Sequence, residues 1–265
     1  MWLVVLRVAA ARRFLIEPIF VRTGGSRRSF PPHYDCASIR AMNYYPIFLR
    51  VAGRSCLVIG GGRVAEEKVR SLLAAGARVT VISPQLTPGL RALAASEQIT
   101  HQDRTYASSD AGGFFLAYAA TDDADLHVKI AADAAAAGTL VNVVDQPQLC
   151  DFIMPSIVER GDLVIATSTS GTSPAMARRI RCELEQTFGP EYALALALLR
   201  RVRESLAAIP NTGAERRRIF NTLVDSPLLD YIRNGQRREI DALLASTVGN
   251  DVSLAGLGID LPHGP

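Results

Sequence analysis

Apolar and polar positions follow two different periods from residue 55 onward. Residues 55–59 form a continuous apolar run, which is typical of a buried strand. The apolar residues that follow fall near one helix face: Val64, Val69, Leu72 and Leu73. Gly76 is then a helix end, and residues 78–83 form the next apolar run. The pattern predicts a strand, a helix and a second strand.

Later apolar runs predict three further strands: residues 98–102, 114–120 and 139–144. Residues 122–137 predict a helix, with Thr121 or Asp122 as its N-cap and Gly138 at its end. Strands that alternate with helices predict the α/β class, with a Rossmann-like, doubly wound parallel sheet. Ligands of such sheets bind beyond the carboxyl ends of the strands.

A glycine-rich turn joins the first strand to the first helix. Gly60, Gly62 and Ala65 match the dinucleotide-binding pattern G-x-G-x-x-A, in which small residues let a diphosphate approach the helix N-terminus. A glycine turn without a ligand is the alternative. The acid expected after the second strand is absent, and Ser83 and Gln85 are the candidates to bond a ribose instead. The lack of an arginine there favours NAD over NADP, but the motif alone leaves the choice open.

Polar residues at the ends of the later strands mark the candidate site: Thr121, Asp122, Asn142 and Asp145. The carboxyl ends of neighbouring parallel strands meet at one edge of a sheet. We therefore expect these residues to surround one ligand. For Asp145, a turn residue or helix cap is the alternative role.

The second half has a predicted strand at residues 163–167, and the loop after it is rich in hydroxyl groups: Ser168, Thr169, Ser170, Gly171, Thr172 and Ser173. Ser173 and Pro174 suit the start of a helix, which we expect to continue to about residue 209. Hydroxyls and free N–H groups converge at such a start and favour an anion. A capped turn is the alternative.

Composition narrows the classes of function. The chain is 48% hydrophobic and 21% charged, which excludes wholesale disorder. A net charge of +3 is too balanced for a dedicated nucleic-acid binder. No apolar run reaches the roughly 18 residues that a membrane-spanning helix needs. The four cysteines lack metal-type spacing, so we expect a reducing, cytoplasmic compartment and no bound metal.

Arginine dominates the basic residues, since only Lys68 and Lys129 among the 29 are lysines. Arginine suits carboxylate and phosphate ligands, although a GC-rich genome gives the same bias. Residues 1–42 are rich in arginine and poor in acids, which is typical of a transit-like peptide. An upstream start codon, with the true chain beginning at Met42, is the alternative that we favour. Either way, we expect a disordered extension there and a flexible tail at residues 249–265.

Six segments together resemble siroheme synthase, and more narrowly its precorrin-2 dehydrogenase and sirohydrochlorin ferrochelatase module: residues 43–48, 56–68, 119–122, 142–145, 152–156 and 172–174. The resemblance implies an NAD-binding domain at residues 43–154, a dimerisation segment at 155–190 and a small helical domain at 191–248. It also implies a homodimer in the stand-alone form, without a methyltransferase domain.

The resemblance implies an NAD-dependent oxidation of precorrin-2 to sirohydrochlorin, followed in bifunctional members by insertion of ferrous iron as a substrate. Carried over by position, five residues would hold the diphosphate: Gly60, Gly61, Gly62, Arg63 and Val64. Pro84 and Gln85 would meet the adenosine side, and Asp145 falls on the catalytic aspartate of the family. Because both reactions remove protons from the tetrapyrrole, a carboxylate suits them as a general base.

The family resemblance leaves some points open. Thr169 stands where some members carry a modifiable serine, which puts that modification in doubt. Arg178 and Arg179, after the hydroxyl loop, suit a substrate with many carboxylates. A dehydrogenase of another polycarboxylate and a non-enzymatic NAD-sensing module are the competing hypotheses. Sequence alone does not establish the chelatase activity.

Overall fold

Five strands form one parallel sheet: β1 (Ser55–Ile59), β2 (Arg78–Ile82), β3 (Ile99–Gln102), β4 (Leu116–Ala119) and β5 (Leu140–Val143). The computed structural model describes residues 44–207 and 212–261. The strand order is β3-β2-β1-β4-β5, so the direction of winding reverses between β1 and β4. The predicted Rossmann-like sheet is confirmed, and ligands of such sheets bind at the reversal.

Three helices cover the two faces of the sheet: α1 (Arg63–Ala74), α2 (Pro88–Ala95) and α3 (Ala124–Ala137). Successive strand residues point to opposite faces. Accordingly, Val58 packs in the core that includes Leu72 and Leu90 of α1 and α2, whereas Leu57 packs with Ile130 of α3. The long apolar runs seen in the sequence therefore reflect strands that are buried on both faces.

The end of α1 lies where the sequence predicted it, whereas the start of α3 does not. Gly76 has a φ of +76° just beyond α1, and the N–H of Ala77 donates to the carbonyl of Leu72 at 3.0 Å. This left-handed glycine ends the helix as predicted. The predicted N-cap of α3, Thr121 or Asp122, is wrong by one or two residues. Asp123 is the cap, and its carboxylate accepts the Leu126 N–H at 3.0 Å.

An antiparallel hairpin and a helical region follow the sheet: β6 (Ser156–Arg160), β7 (Leu163–Thr167), α4 (Pro174–Thr187), α5 (Glu191–Ala207), α6 (Gly213–Asp225), α7 (Leu228–Arg233) and α8 (Arg237–Thr247). The single helix predicted from residue 175 to about 209 is interrupted at residues 188–190. Pro190 accounts for the break, because proline has no N–H to donate and clashes with the preceding turn of a helix.

The helical region has a core of its own, which includes Leu198, Leu223 and Leu244. The flexible tail predicted for residues 249–265 is wrong over its described part. Leu254 and Leu261 are each only 2% exposed within that core. Apolar burial outweighs the local preference of a glycine-rich segment for disorder. The predicted extension, residues 1–42, lies outside the described residues, as do residues 262–265.

Candidate functional site

The glycine turn lies at the carboxyl end of β1, and close backbone contacts require glycine at two of its positions. Gly60 has a φ of +117°, and a β-carbon there would lie 2.2 Å from the carbonyl oxygen of Ala120. At Gly61 a β-carbon would lie 1.8 Å from the carbonyl oxygen of Gln85. Both contacts are impossible for a real side chain, so the backbone itself requires glycine at these two positions.

Gly62 is different because a β-carbon there would meet no atom within 4 Å. It is the N-cap residue of α1 and makes no side-chain cap, so the first N–H groups of the helix have no capping partner in the described chain. Arg63 and Val64 begin the helix with exposed side chains. Open space above uncapped N–H groups fits the diphosphate of a dinucleotide.

The loop after β2 is held by its own hydrogen bonds. The Ser83 hydroxyl donates to the carbonyl of Gln85 at 2.7 Å, and its residue is only 7% exposed. A hydroxyl has one proton, so Ser83 has none left to donate to a ribose in this geometry. Pro84 and Gln85 are exposed beside it. The serine predicted to bind a ribose instead shapes the loop that meets Gly61.

The ends of β4 and β5 lie next to the glycine turn. Ile59 is in register with Ala119, and Ala119 with Val143, so the residues that follow these strands share one edge of the sheet. Thr121 follows β4, and its buried hydroxyl oxygen has no partner among the described residues. Asp122 beside it is exposed. A buried hydroxyl without a partner is the kind of group that a ligand completes.

Asn142 lies within β5 and is only 9% exposed. Its side-chain amide donates to the carbonyl of Phe152 at 2.8 Å and lies 3.6 Å from the sulfur of Cys150. The structure therefore uses the donors of Asn142 to hold residues 150–152 against the strand, rather than leaving them for a ligand.

Asp145 lies two residues beyond β5, in a turn, with an exposed side chain and a φ of +60°. Aspartate is one of the few residues that adopts this left-handed conformation readily. The turn is tied to its surroundings on one side by Val144, whose N–H donates to the carbonyl of Ala119 at 3.0 Å. On the other side the Gln146 amide lies 3.2 Å from Nδ1 of His127. The fold thus presents a carboxylate at the same edge as the glycine turn.

The sequence analysis did not single out Cys150, Gln146 or His127 as part of this site. His127 is buried, at 5% exposure. Cys150 is half-buried, and burial raises the pKa of its thiol. No motif spacing connects these residues, because the contacts arise only when the chain after β5 folds back on the strand.

The hydroxyl loop lies between β7 and α4. The Ser173 hydroxyl accepts the Met176 N–H at 3.2 Å, which confirms Ser173 as the N-cap of α4. The Thr169 hydroxyl donates to the carbonyl of Ser173 and accepts its N–H, both at 3.1 Å. The Ser168 hydroxyl accepts the N–H of Ser170. Within the described chain, no hydrogen bond joins this loop to the residues at the strand ends.

Gly171 and Thr172 lie exposed at the tip of the loop, where Gly171 has a φ of +81°. In the first turns of α4, the Arg179 guanidinium donates to Glu183 at 3.0 Å, whereas Arg178 makes no ion pair with any described residue. Arg178 is therefore the more available of the two for an anion. In residues 44–207 and 212–261 no group of three or more potential metal-ligating side chains occurs.

Three family models match consecutive parts of the chain. An NAD(P)-binding family matches residues 47–156, the central part of sirohaem biosynthesis proteins matches 160–187, and the sirohaem synthase dimerisation region matches 192–247. The chain belongs to the siroheme synthase family. The segment that carries the dimerisation name is thus the helical region, whereas the sequence analysis placed the dimerisation segment at residues 155–190.

Similar proteins agree with this membership. The siroheme synthase of Chromobacterium violaceum is 39% identical over 210 residues, which cover 77% of this chain and 44% of that protein. The siroheme synthase of Thioalkalivibrio sulfidiphilus is 38% identical over 227 residues, or 82% of this chain and 46% of that protein. The chain spans less than half the length of these relatives.

A solved structure shares the fold. The structure of SirC, precorrin-2 dehydrogenase, aligns with a TM-score of 0.64 at 23% identity, covering 70% of this chain and 92% of that one. In the part of the chain that the structure describes, no helix combines the length and the apolar character needed to span a bilayer.

Proposed function

We propose that this protein oxidises precorrin-2 to sirohydrochlorin with NAD. The observation that carries the proposal is the exposed carboxylate of Asp145, held in a left-handed turn at the sheet edge that also bears the glycine turn. Siroheme synthase relatives at 38–39% identity support the choice of substrate.

The described residues fit NAD. Gly62 and the uncapped start of α1 would receive the diphosphate, and Gly60 and Gly61 keep the turn close to the sheet. Binding of NAD would give the buried hydroxyl of Thr121 a hydrogen-bond partner. When bound, NAD supplies the hydride acceptor of the oxidation.

Asp145 would supply the proton acceptor. Oxidation of the tetrapyrrole removes a hydride and a proton, and an exposed carboxylate at the site entrance can take that proton. Insertion of ferrous iron removes two pyrrole protons from the same macrocycle, so the same carboxylate suits a second, chelatase step. We propose this step as well, with iron as its substrate.

We further propose that the hydroxyl loop and the arginines after it bind the carboxylates of the tetrapyrrole. The exposed loop residues Ser168, Ser170 and Thr172, together with Arg178, which forms no ion pair with a described residue, form an anion-binding surface.

A homodimer is part of the proposal. Ile157 and Val164 lie on the same face of the hairpin and are 41% and 39% exposed. The α4 helix contains no buried side chain in the isolated chain. Exposed apolar groups on two adjoining elements are typical of a surface that a second copy covers. We also propose a cytoplasmic location, supported by Cys56, Cys150 and Cys182, which form no disulfide within the part of the chain that the structure describes.

Replacement of Asp145 tests the catalytic proposal. Asp145→Asn keeps the shape of the side chain and its tolerance of a positive φ, but it removes the proton acceptor. We expect the rate of sirohydrochlorin formation, followed by absorbance, to fall by about 10²–10⁴-fold. The NAD dissociation constant should stay close to that of the wild type. Asp125→Asn is the matched control, since Asp125 is an exposed carboxylate in the first turn of α3.

The chelatase step is measured on the same variants. Purified protein is incubated anaerobically with sirohydrochlorin and ferrous iron, and siroheme formation is recorded. We expect Asp145→Asn to slow this reaction too. A wild-type rate in both assays, from a variant with a normal melting temperature, would reduce Asp145 to a turn residue. Loss of only one activity would assign the two proton transfers to different groups.

A further inference from the structure

The residues after β5 return along that strand, and Cys150 lies where the return begins. In the sheet order β5 is an edge strand, which leaves backbone groups without a partner strand. Instead, the N–H of Val141 donates to the Asp151 carboxylate at 2.9 Å, and the N–H of Asp151 donates to the carbonyl of Val141 at 2.9 Å. The N–H of Val143 donates to the sulfur of Cys150 at 3.1 Å.

The sulfur of Cys150 is the point at which both ends of the Asp145 turn meet. Its S–H is within reach of two carbonyl oxygens, that of Val143 at 3.2 Å and that of Gln146 at 3.4 Å. The side-chain amide nitrogen of Asn142 lies 3.6 Å from the same sulfur. Val143 and Gln146 flank the turn on either side, and the Gln146 N–H donates to the Val143 carbonyl at 3.3 Å. The Cys150 side chain contacts both ends of this backbone bond and so reinforces the separation that the bond sets.

We propose that Cys150 is a positioning residue for Asp145, setting the turn from which the carboxylate is presented. This inference rests on the proposed function, since it assigns a role in the same reaction. Asp145 keeps a positive φ, which the surrounding contacts must maintain. Those contacts include the backbone bonds of Val144 to Ala119 and of Gln146 to Val143, the bond between Gln146 and His127, and the convergence on Cys150.

The chemistry of the thiol suits this role. Burial raises the pKa of Cys150, and the nearby charge of Asp151 acts in the same direction, against the opposing bond from Val143. The group therefore stays protonated at neutral pH and can donate as well as accept. Sulfur also forms longer hydrogen bonds than oxygen and has a longer bond to the β-carbon. A serine would keep the donor and acceptor but not reach all four groups equally well.

Alanine and serine variants test the proposal together with Asp145→Asn. We expect Cys150→Ala to lower kcat about ten- to a hundredfold, because a small displacement of a catalytic group has an effect of that size. KM and the NAD dissociation constant should change by less than about threefold, since the glycine turn is untouched. Cys150→Ser should recover part of kcat. Cys56→Ala is the control, because it removes a fully buried thiol of β1 that does not touch the turn.

A double-mutant cycle separates positioning from general destabilisation. If Cys150 acts only through Asp145, adding Cys150→Ala to Asp145→Asn lowers kcat no further. A multiplicative loss in the double variant would overturn the proposal. So would a Cys56→Ala variant that loses kcat as strongly as Cys150→Ala at the same melting temperature.

A readout that does not need the reaction keeps this inference separate from the proposed function. Amide hydrogen exchange at Val143 should be accelerated in Cys150→Ala and unchanged in Cys56→Ala, because the Val143 N–H is held by the sulfur of Cys150. Slow Val143 exchange in Cys150→Ala would overturn the proposal that the sulfur of Cys150 holds this turn. If the wild-type protein fails to oxidise precorrin-2 while this exchange pattern appears, the proposed function fails and the structural role of Cys150 stands.

Discussion

Gly62 is the position where binding of the cofactor can be separated from stability of the fold. Its φ of −82° and ψ of −171° are open to any residue, and a β-carbon would meet nothing within 4 Å. As the N-cap of α1 it has no side chain to satisfy the free N–H groups. Aspartate or asparagine there would cap the helix and stabilise it by a few tenths of a kcal/mol relative to glycine, roughly.

Gly62→Asp should nevertheless abolish tight NAD binding. The new carboxylate would lie where a diphosphate approaches the helix start. Two unit charges about 4 Å apart repel by about 4 kcal/mol at an effective dielectric constant of about 20. Since about 1.4 kcal/mol corresponds to a tenfold change in Kd, we expect affinity to fall by about three orders of magnitude.

Calorimetry of NAD binding, with thermal unfolding in parallel, measures both effects. Gly62→Asn is the matched variant, because it has the same shape and capping ability without the charge. The gap in Kd between the two variants should narrow as salt is added, since screening acts over about 10 Å at 0.1 M ionic strength. Wild-type affinity in Gly62→Asp, or equal losses in both variants, would refute the assignment of the diphosphate to this turn.

Other expected outcomes test the substrate surface, the dimer and the acid stability. Arg178→Ala should raise KM for the tetrapyrrole about tenfold or more, since a charged hydrogen bond contributes roughly 1.5–3 kcal/mol; Arg179→Ala should do less, because Arg179 already pairs with Glu183. In light scattering, Val164→Asp should give monomers while Val128→Asp, an equally polar change at an exposed site on α3, should not; a dimeric Val164→Asp would argue against that face. Glu191→Gln should be less stable to urea at pH 7 but lose less stability on acidification. Burial opposes ionisation of Glu191, yet its bond to Arg233 prevails and holds its pKa below the ordinary value of a glutamate. The stabilisation is therefore present above that ordinary pKa and disappears as pH falls through the lowered one; parallel acid curves for both proteins would exclude this linkage.

The elements that the sequence predicted best are those whose signal is local. The run at residues 55–59 and the helix face after it depend on residue spacing alone, and both elements appear as β1 and α1. Only one strand of the hairpin was predicted from the sequence, since β7 was predicted and β6 was not. The two strands differ because β6 contains the charged residues Glu159 and Arg160, which interrupt the apolar pattern. In the structure β6 is recognised as a strand by its pairing with β7.

The candidate site residues also differ in how well the sequence alone could assign their roles. Gly60 was recognised from the dinucleotide-binding motif and Gly61 from the family resemblance, and the structure supplies the close contacts that require glycine at both positions. Ser83 and Asn142 were also chosen from their places at strand ends, but their donors are used within the chain. Residue type and position along a strand do not reveal whether a polar group already has a partner.

The sequence by itself determined the alternation of strands and helices, the parallel sheet and the place of the glycine turn at the carboxyl end of β1, because periodicity and glycine turns act over a few residues. Only the tertiary structure decided that Leu254 and Leu261 are buried in the helical core, and that Cys150 joins the two ends of the Asp145 turn. These outcomes depend on which distant segments meet. Burial and hydrogen-bond partners are properties of the folded path of the chain, and no local pattern contains them.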